Sequence, residues 1–276
     1  MTLGVWNIMN VQVCDFRSND FGTDFKNSVT NTGFAVVTNH GIDHGLIKAN
    51  QQVWRQFFLQ SLDYKNSFIN ATDGNQGYKG MKTEKAVGAK VADLKEFYHW
   101  RPFKTLPFGV AEITPRIFAD LEEVGMSILS ILGSQYKSWC DGSDNTILRT
   151  IYYPAMNFSA EPEAVRSAAH EDINFITLLV AADAPGLQVL DKKGKWHDAP
   201  YEENSIVVNV GDMLQLASKG QYKSTTHRVV NPQNNHSDRV SMPLFVHPFS
   251  NTLLADNFTA GEFLAQRIAE ITQATK

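Results

Sequence analysis

The chain has 276 residues, of which 43% are hydrophobic and 20% are charged, and its formal net charge is −4. This composition excludes disorder, collagen and coiled coils, and the length allows one large domain or two small ones. Because the sequence has no block of Lys and Arg, we expect no nucleic-acid or membrane partner. No obligate protein partner is expected either. A small molecule is the expected ligand.

The cysteines and the N-terminus bear on the compartment. Cys14 and Cys140 are too few and too far apart for a disulfide framework or a cysteine-based zinc site. The first residues lack the basic and apolar regions of a signal peptide, and the longest apolar run is too short to span a bilayer. We therefore expect a cytoplasmic protein.

The N-terminal part predicts a strand and then a helix. Phe34–Val37 is a short apolar run followed by a turn at Asn39-His40-Gly41, and apolar residues from Ile47 to Phe58 recur at helical spacing. Residues 71–96 hold four glycines and few apolar side chains, but no Gly-Lys-Ser/Thr. This segment predicts a long exposed loop of the kind that often forms a lid.

The rest of the chain changes from helical to β character. Residues 114–139 have helical periodicity, and Lys192–Lys195 has the composition of a hairpin turn. Thr259 and Glu262 form a capping box that predicts a final helix, with Phe258 packed on Phe263. Short β-rich runs between residues 146 and 250 predict a sandwich or barrel; they are Ile147–Tyr153, Phe175–Val180, Leu187–Leu190, Ile206–Val210, Met213–Ala217, Thr226–Val230 and Val240–Val246.

His170 and Asp172 are the first candidate metal ligands. Residues i and i+2 of a strand share a face, and this pair precedes an apolar strand, with His227 in a second strand-like run 55 residues after Asp172. Two histidines and one carboxylate suit non-haem Fe(II) and leave coordination positions open. A second pair, His236 and Asp238, lies in a polar turn and has no third histidine after it at long range.

Arg239 and Ser241 form a second i, i+2 pair, 12 residues beyond His227. Arginine binds a carboxylate through two hydrogen bonds, and the serine hydroxyl can add another. Beside a metal with open positions, this pair predicts an acidic cosubstrate. Arg239 as a surface salt-bridge residue is the alternative.

Six ordered segments resemble the isopenicillin N synthase-like branch of the Fe(II)/2-oxoglutarate-dependent oxygenases over nearly the whole chain. The resemblance implies a mostly β fold with flanking helices and a double-stranded β-helix, or jelly-roll, core. The segments are residues 33–42, Leu148–Pro154, His170–Leu179, Gly186–Val189 with Asn209–Asp212, His227–Val229 and Arg239–Ser241. Ile151 departs from the pattern, because plant members often have Asn there.

The resemblance also implies roles for single residues. His170, Asp172 and His227 would bind iron, Arg239 and Ser241 would bind the distal carboxylate of 2-oxoglutarate, and Tyr153 would add a hydroxyl there. The implied cofactors are Fe(II), 2-oxoglutarate and O2, with ascorbate as a candidate stimulant. The implied reaction oxidises, and in our interpretation hydroxylates, a small organic molecule with release of succinate and CO2.

The implied organisation is an N-terminal α/β region at 1–105, a supporting helix at 106–145, the jelly roll at 146–250 and a C-terminal helix at 251–276. We expect residues 71–105 and the last helix to set specificity, with Lys95–Trp100 in the substrate pocket. Metal-ligating histidines are neutral, so iron affinity is expected to fall below about pH 6.

Two other functions fit the same residues. An isopenicillin N synthase-like oxidase would use no 2-oxoglutarate, and a sensor would bind a metal or keto acid without turnover. Among single residues, Tyr153 could belong only to the core, while His40, His197 and His247 are interpreted as structural.

Overall fold

The computed structural model describes residues 10–71, 76–84, 91–155, 165–180, 186–200, 202–231 and 238–275. The helices in these ranges are α1 Phe21–Thr32, α2 His44–Phe58, α3 Leu62–Asn66, α4 Thr114–Leu132, α5 Ser134–Cys140, α6 Asp212–Ala217 and α7 Ala260–Thr275. The strands are β1 Val13–Asp15, β2 Phe34–Thr38, β3 Gly77–Lys79, β4 Glu96–Trp100, β5 Ile147–Tyr153, β6 Ser167–His170, β7 Ile176–Val180, β8 Leu187–Leu190, β9 Trp196–Asp198, β10 Ile206–Val210, β11 His227–Val229, β12 Arg239–Val246, β13 Leu253–Ala255 and β14 Phe258–Thr259.

Two facing sheets form the core. The major sheet has the order β1-β2-β10-β7-β12-β5-β4-β3, and the minor sheet has the order β6-β11-β8-β9. Strands β5 to β12 alternate between the two sheets, except that the hairpin β8–β9 lies wholly in the minor sheet, and this arrangement confirms the predicted jelly roll. The N-terminal strands β1 to β4 extend the major sheet at both edges.

The strands of the major sheet present two unlike faces because side chains alternate along a strand. On one face Leu178, Leu244 and Val246 join the main apolar core, which also contains the buried stripe of α4. Gly125 of α4 lets this helix approach closely, since a Cβ there would meet Leu178 Cδ1 at 3.2 Å. The other face, which carries Thr177, is directed toward the minor sheet.

The capping box at the start of α7 is confirmed. Thr259 Oγ1 accepts from the backbone N–H of Glu262, and Glu262 Oε2 accepts from the backbone N–H of Thr259. Phe258 and Phe263 pack with ring centroids 5.9 Å apart. The predicted hairpin turn also joins β8 to β9, which are paired antiparallel.

Two expectations about single segments are wrong. Met213–Ala217 was expected as a strand, but this run forms helix α6, because four or five apolar residues fit a helical turn as well as a strand. By contrast, the helical character predicted for residues 114–139 is confirmed, since they form α4 and α5 with a break at Gly133.

Residues 71–96 were expected to be a long exposed loop. Instead β3 and β4 pair with each other and extend the major sheet, and Tyr78 and Lys95 are buried. The charged side chains of this segment predicted that it would be exposed. Instead, several of them pair with one another inside the protein. Residues 72–75 and 85–90 lie outside the described residues.

Cys14 and Cys140 are both buried free thiols. Among the described helices, none has the length and apolar character that a membrane crossing requires. The division of the chain after residues 105, 145 and 250 stays a prediction.

Candidate active site

The three predicted metal ligands meet between the two sheets. His170 ends β6 and His227 begins β11, and the two are cross-strand partners in the minor sheet. Asp172 Oδ1 lies 3.7 Å from His170 Nε2 and 3.8 Å from His227 Nε2. One ligand atom from each side chain lies within 4.8 Å of the others, so the three can bind one ion.

Backbone carbonyls orient both imidazole rings. His170 Nδ1 lies 2.8 Å from the carbonyl oxygen of Ala168, and His227 Nδ1 lies 3.1 Å from that of Thr225. A carbonyl only accepts, so each Nδ1 carries the proton and each Nε2 keeps a lone pair directed at the centre.

Two neutral side chains hold the carboxylate of Asp172. Its Oδ2 accepts from Thr177 Oγ1 at 2.5 Å and from Asn209 Nδ2 at 2.7 Å, which leaves Oδ1 on the side of the histidines. Burial raises the pKa of Asp172, but His227, His170 and these hydrogen bonds outweigh burial and lower it. The carboxylate is therefore ionised and ready to bind a cation.

His170 is in the matching protonation state. Burial, followed by the neighbouring His227, lowers the pKa of His170 to about 4, so its ring is neutral near pH 7. Two imidazoles and one carboxylate are the donor set that suits non-haem Fe(II). The residues present thus fit this metal.

The three residues expected to bind 2-oxoglutarate are also brought together. Arg239 and Tyr153 are cross-strand partners on β12 and β5, with the guanidinium carbon 5.1 Å from the centroid of the tyrosine ring. Ser241 faces Ile151 two positions along the same strands. Arg239, Ser241 and Tyr153 are each at least 97% buried.

Arg166 also lies beside Tyr153, and the sequence analysis did not identify it. Its guanidinium carbon lies 5.7 Å from the ring centroid of Tyr153, and its side chain is 1% exposed. Two guanidinium groups therefore contact Tyr153, which makes the region around this ring suited to a ligand with negative charge.

A cavity of about 720 Å³ adjoins the metal residues and is lined by His170 and Asp172. Lys95, Phe97 and His99 also line it, while Glu96, Tyr98 and Trp100 do not, because alternate residues of β4 face opposite sides. The expectation that part of Lys95–Trp100 lies in a pocket agrees with this position.

One side of the cavity carries five ionisable residues, Glu84, Asp93, Lys95, His99 and Arg149, which we call the polar wall. Arg149 donates from Nη1 and Nη2 to the two Glu84 carboxylate oxygens at 3.2 Å each. Lys95 Nζ lies 2.7 Å from Glu84 Oε2 and 2.8 Å from Asp93 Oδ2. Arg149 Nε donates to His99 Nε2 at 2.6 Å.

The polar wall is ionised in pairs and its histidine is neutral. Burial opposes the charge on Glu84, but Arg149 and Lys95 outweigh it and lower the pKa of that carboxyl. Burial also opposes the charge on Lys95, whose pKa Glu84 and Asp93 nevertheless raise. Burial and Arg149 together hold the pKa of His99 well below its usual range.

Helix α7 forms the opposite side of the cavity. Leu264, Ile268 and Ile271, at helical spacing, line the cavity and are half-buried. Arg267, on the same helix, lies 2.7 Å from Glu270 and 3.7 Å from Asp212. The last helix thus lines the cavity, and its expected role in specificity stays a prediction.

The other three histidines singled out in the sequence have hydrogen-bond partners within the protein. His40 contacts the Asn204 carbonyl through Nε2 and accepts from the Ile42 backbone N–H through Nδ1. His197 Nε2 lies 2.8 Å from Asp191 Oδ2 in the β8–β9 hairpin. His247 lines the cavity, with Nδ1 3.1 Å from the Phe245 carbonyl oxygen.

The sequence analysis did not single out Glu84, Asp93 or Arg149 of the polar wall, and of these Arg149 is the one with a local signal. It lies four positions before Tyr153 on β5, and the period of two places both side chains on the same face. That spacing was the available signal. Its pairing with Glu84, 65 residues earlier, leaves no local signal in the sequence.

Two family models match this chain. Residues 144–248 match the 2OG-Fe(II) oxygenase superfamily, and residues 11–115 match the N-terminal region described as non-haem dioxygenase in morphine synthesis. Flavonol synthase/flavanone 3-hydroxylase of Eustoma exaltatum subsp. russellianum is 30% identical over 235 residues, which cover 78% of this chain and 68% of that protein.

Solved structures agree with these matches. A Shewanella oneidensis protein superposes with a TM-score of 0.83 at 33% identity and covers 95% of this chain and 98% of its own. A full-length Neurospora crassa protein, solved in complex with alpha-KG, which is 2-oxoglutarate, superposes with a TM-score of 0.80 at 26% identity over 93% of this chain and 95% of its own.

Proposed function

Because the chain belongs to the 2OG-Fe(II) oxygenase superfamily, we propose that His170, Asp172 and His227 are its iron ligands. The observation that carries this proposal is that one ligand atom from each of the three side chains lies within 4.8 Å of the others. The chain is a 2-oxoglutarate- and Fe(II)-dependent dioxygenase, and it uses Fe(II), 2-oxoglutarate and O2. Its reaction on a small organic molecule is proposed to be hydroxylation.

When bound, iron and 2-oxoglutarate supply the oxidising chemistry: one oxygen atom of O2 enters succinate as CO2 is lost, and the other enters a substrate C–H bond to give an alcohol. The protein holds the ligands in place. Thr177 and Asn209 keep Asp172 Oδ2 occupied, so that Oδ1 is the oxygen available to the metal.

Arg239 and Ser241 are proposed to bind the distal carboxylate of 2-oxoglutarate, with Tyr153 adding its hydroxyl. Support comes from the burial of all three side chains and from their position on adjacent strands of the major sheet. A buried guanidinium forms strong, directional hydrogen bonds with a carboxylate. This arrangement would fix one end of the cosubstrate.

Anaerobic addition of Fe(II) and 2-oxoglutarate tests the proposal directly. We expect the visible charge-transfer band of the chelate, and we expect it to be absent when either His170 or His227 is replaced by alanine. A band of full intensity in these variants would overturn the ligand assignment. Succinate release in air then separates a dioxygenase from an oxidase that needs no 2-oxoglutarate, and from a protein that binds without turnover.

Arg239→Ala tests the cosubstrate site. We expect the KM for 2-oxoglutarate to rise by about 30-fold or more, because a buried charged hydrogen-bond partner is lost, while the intensity of the saturated band is kept. Arg116→Ala, on the exposed face of α4, is the matched control. An unchanged KM in Arg239→Ala would contradict the assignment.

Product analysis tests the proposed hydroxylation, since the alcohol differs in mass from an alkene or a new ring, and NMR separates the last two, which are isomers. Stimulation by ascorbate and a cytoplasmic location stay predictions. Activity with and without ascorbate checks the first, and fractionation of the source cell checks the second.

A further inference from the structure

Four Lys and Arg side chains line the cavity beside the proposed iron site, and three of them have carboxylate partners. Lys95 and Arg149 are paired within the polar wall, and Arg267 lies 2.7 Å from Glu270. Lys79 of β3 is the fourth and is half-buried. Within the described ranges no carboxylate lies at ion-pair distance from its ammonium. Lys79 is therefore the cation that a ligand can bind without breaking an existing pair.

Lys79 lies on the edge strand of the major sheet, away from the proposed cosubstrate site. Its cross-strand partner is Phe97 of β4, and the same row continues through Ile151 of β5 to Ser241 of β12. Residues directly opposite each other share a face of the sheet, so this row belongs to the face that lines the cavity. Three strand spacings, or about 14 Å, separate the backbones of Lys79 and Ser241. A ligand group at Lys79 therefore does not overlap the cosubstrate.

The acidic residues of the described lining leave the position beside Lys79 open to an anion. Glu84 and Asp93 are paired within the polar wall. Glu171 accepts a hydrogen bond from Thr226 and lies between two of the metal residues in the sequence, on the minor sheet. One ammonium neutralises one negative charge, which favours a carboxylate over a phosphate monoester, whose charge is larger.

The rest of the lining is suited to an apolar body. Apolar side chains reach the cavity from the major sheet and from α7; they are Phe97, Ile147, Phe245, Leu264, Ile268 and Ile271. Burying apolar surface contributes about 25 cal/mol per Å² to binding. A ligand that fills the cavity therefore gains affinity from an apolar body and orientation from one charged end.

Resting on the proposed function, we propose that the primary substrate is a monocarboxylate with an apolar body, and that the Lys79 ammonium binds its carboxylate. The apolar body lies between α7 and the major sheet. The carbon to be oxidised lies at the other end of the substrate, beside the metal residues. Lys79 thus determines specificity and the direction in which the substrate lies, and it takes no part in the oxidation itself.

Three compounds with one apolar body and different head groups test this assignment: 6-phenylhexanoate, 6-phenylhexanamide and 6-phenylhexylamine. Each is titrated into the anaerobic complex of the full chain with Fe(II) and saturating 2-oxoglutarate, with calorimetry and the charge-transfer band as readouts. We expect the carboxylate to bind at least about tenfold more tightly than the amide, because it gains a charged hydrogen bond. The amine should bind most weakly, and added salt should reduce the preference for the carboxylate.

Lys79→Met should abolish the preference for the carboxylate and leave the affinities for the amide and for 2-oxoglutarate unchanged. Lys79→Arg keeps the charge and should keep the preference. The matched control is Lys26→Met, at an exposed position on α1, which makes the same change in net charge and should keep the preference as well. If Lys79→Met does not fold, the three compounds with the wild-type protein still decide the question.

Equal binding of the carboxylate and the amide by the wild type would overturn the proposal, as would a preference that survives Lys79→Met or the absence of binding by all three compounds. Displacement of 2-oxoglutarate by the carboxylate would also overturn it, since the compound would then occupy the cosubstrate site. These outcomes differ from failure of the proposed function, in which the charge-transfer band never forms. A band with no preference for the carboxylate overturns only the assignment of Lys79 and the substrate class.

Discussion

The metal residues and the polar wall lie side by side along one cavity, yet their buried polar groups are satisfied in opposite ways. His170, Asp172 and His227 bond outward, to backbone carbonyls and to neutral side chains, and their remaining ligand atoms converge. The charged groups of the polar wall bond to one another. The first arrangement therefore needs a cation to be complete, whereas the second is nearly complete alone.

This difference separates a site that can bind a metal ion from a region that needs no ion. A site whose ligand atoms converge with no positive charge between them can bind a metal ion, and the metal determines the type of reaction. A wall of paired charges needs no added ion, and breaking one of its pairs leaves a buried charge without compensation. Each region can be broken without the other, which makes the comparison testable.

Asp172→Asn should have the largest effect. Loss of the carboxylate removes one metal ligand and the negative charge, so we expect turnover to fall by at least about a thousandfold. Succinate release with Fe(II) in excess measures it. Asp198→Asn, at an exposed position on β9, should retain activity; substantial turnover by Asp172→Asn would contradict the ligand assignment.

Lys95→Met should break the polar wall. Removing the cation leaves the buried Asp93 and the half-buried Glu84 with one partner fewer, and we expect a loss of about 3–5 kcal/mol in the free energy of unfolding. Denaturant unfolding of the metal-free protein measures this loss. Lys48→Met is the control, because its pair with Glu203 is exposed and should contribute about 0–1 kcal/mol.

Acidification should act through several buried histidines, one of which is His247, next to the metal residues. Burial lowers its pKa to about 4 from a usual value near 6.5. As the pH falls below about 6.5 the unfolded chain takes up this proton first, so the free energy of unfolding should decrease, by at most about 3 kcal/mol down to pH 4. Unfolding curves from pH 7 to 4 measure the slope, which His247→Phe should reduce; an equal slope in both proteins would contradict this reasoning.

Asn209→Ala should have a smaller effect on the metal centre. It removes one of the two hydrogen bonds to Asp172 Oδ2 and leaves all three ligands in place. We expect iron affinity to fall by about 10- to 100-fold, measured by anaerobic titration. Asn145→Ala, which removes hydrogen bonds to Pro248 and Ser250, is the control and should bind iron as the wild type does.

The metal residues could be predicted from the sequence because their signal is local. His170 and Asp172 are two positions apart, and His227 and Arg239 each lie in a run with strand character. Most of the predicted strands are present for the same reason, since alternation and turn residues are short-range patterns. The capping box before α7 is another local signal.

The polar wall could not be predicted because its pattern is non-local. Asp93 and Lys95 are buried only because they pair with each other and with Glu84, so a polar segment becomes part of the sheet. The length and spacing of Met213–Ala217 could not separate a strand from a helix, which the contacts around Asp212 decide: its backbone N–H donates to the Asp172 carbonyl.

The position of Asp172 has a consequence for the lifetime of the protein. Its carboxylate is tied to Thr177 and Asn209 of the major sheet, whereas His170 and His227 belong to the minor sheet. A bound ion would therefore cross-link the two sheets, and its removal should make the sandwich easier to open. We expect a chelator to accelerate proteolysis and Fe(II) to slow it, so that iron shortage would reduce the amount of enzyme as well as its turnover.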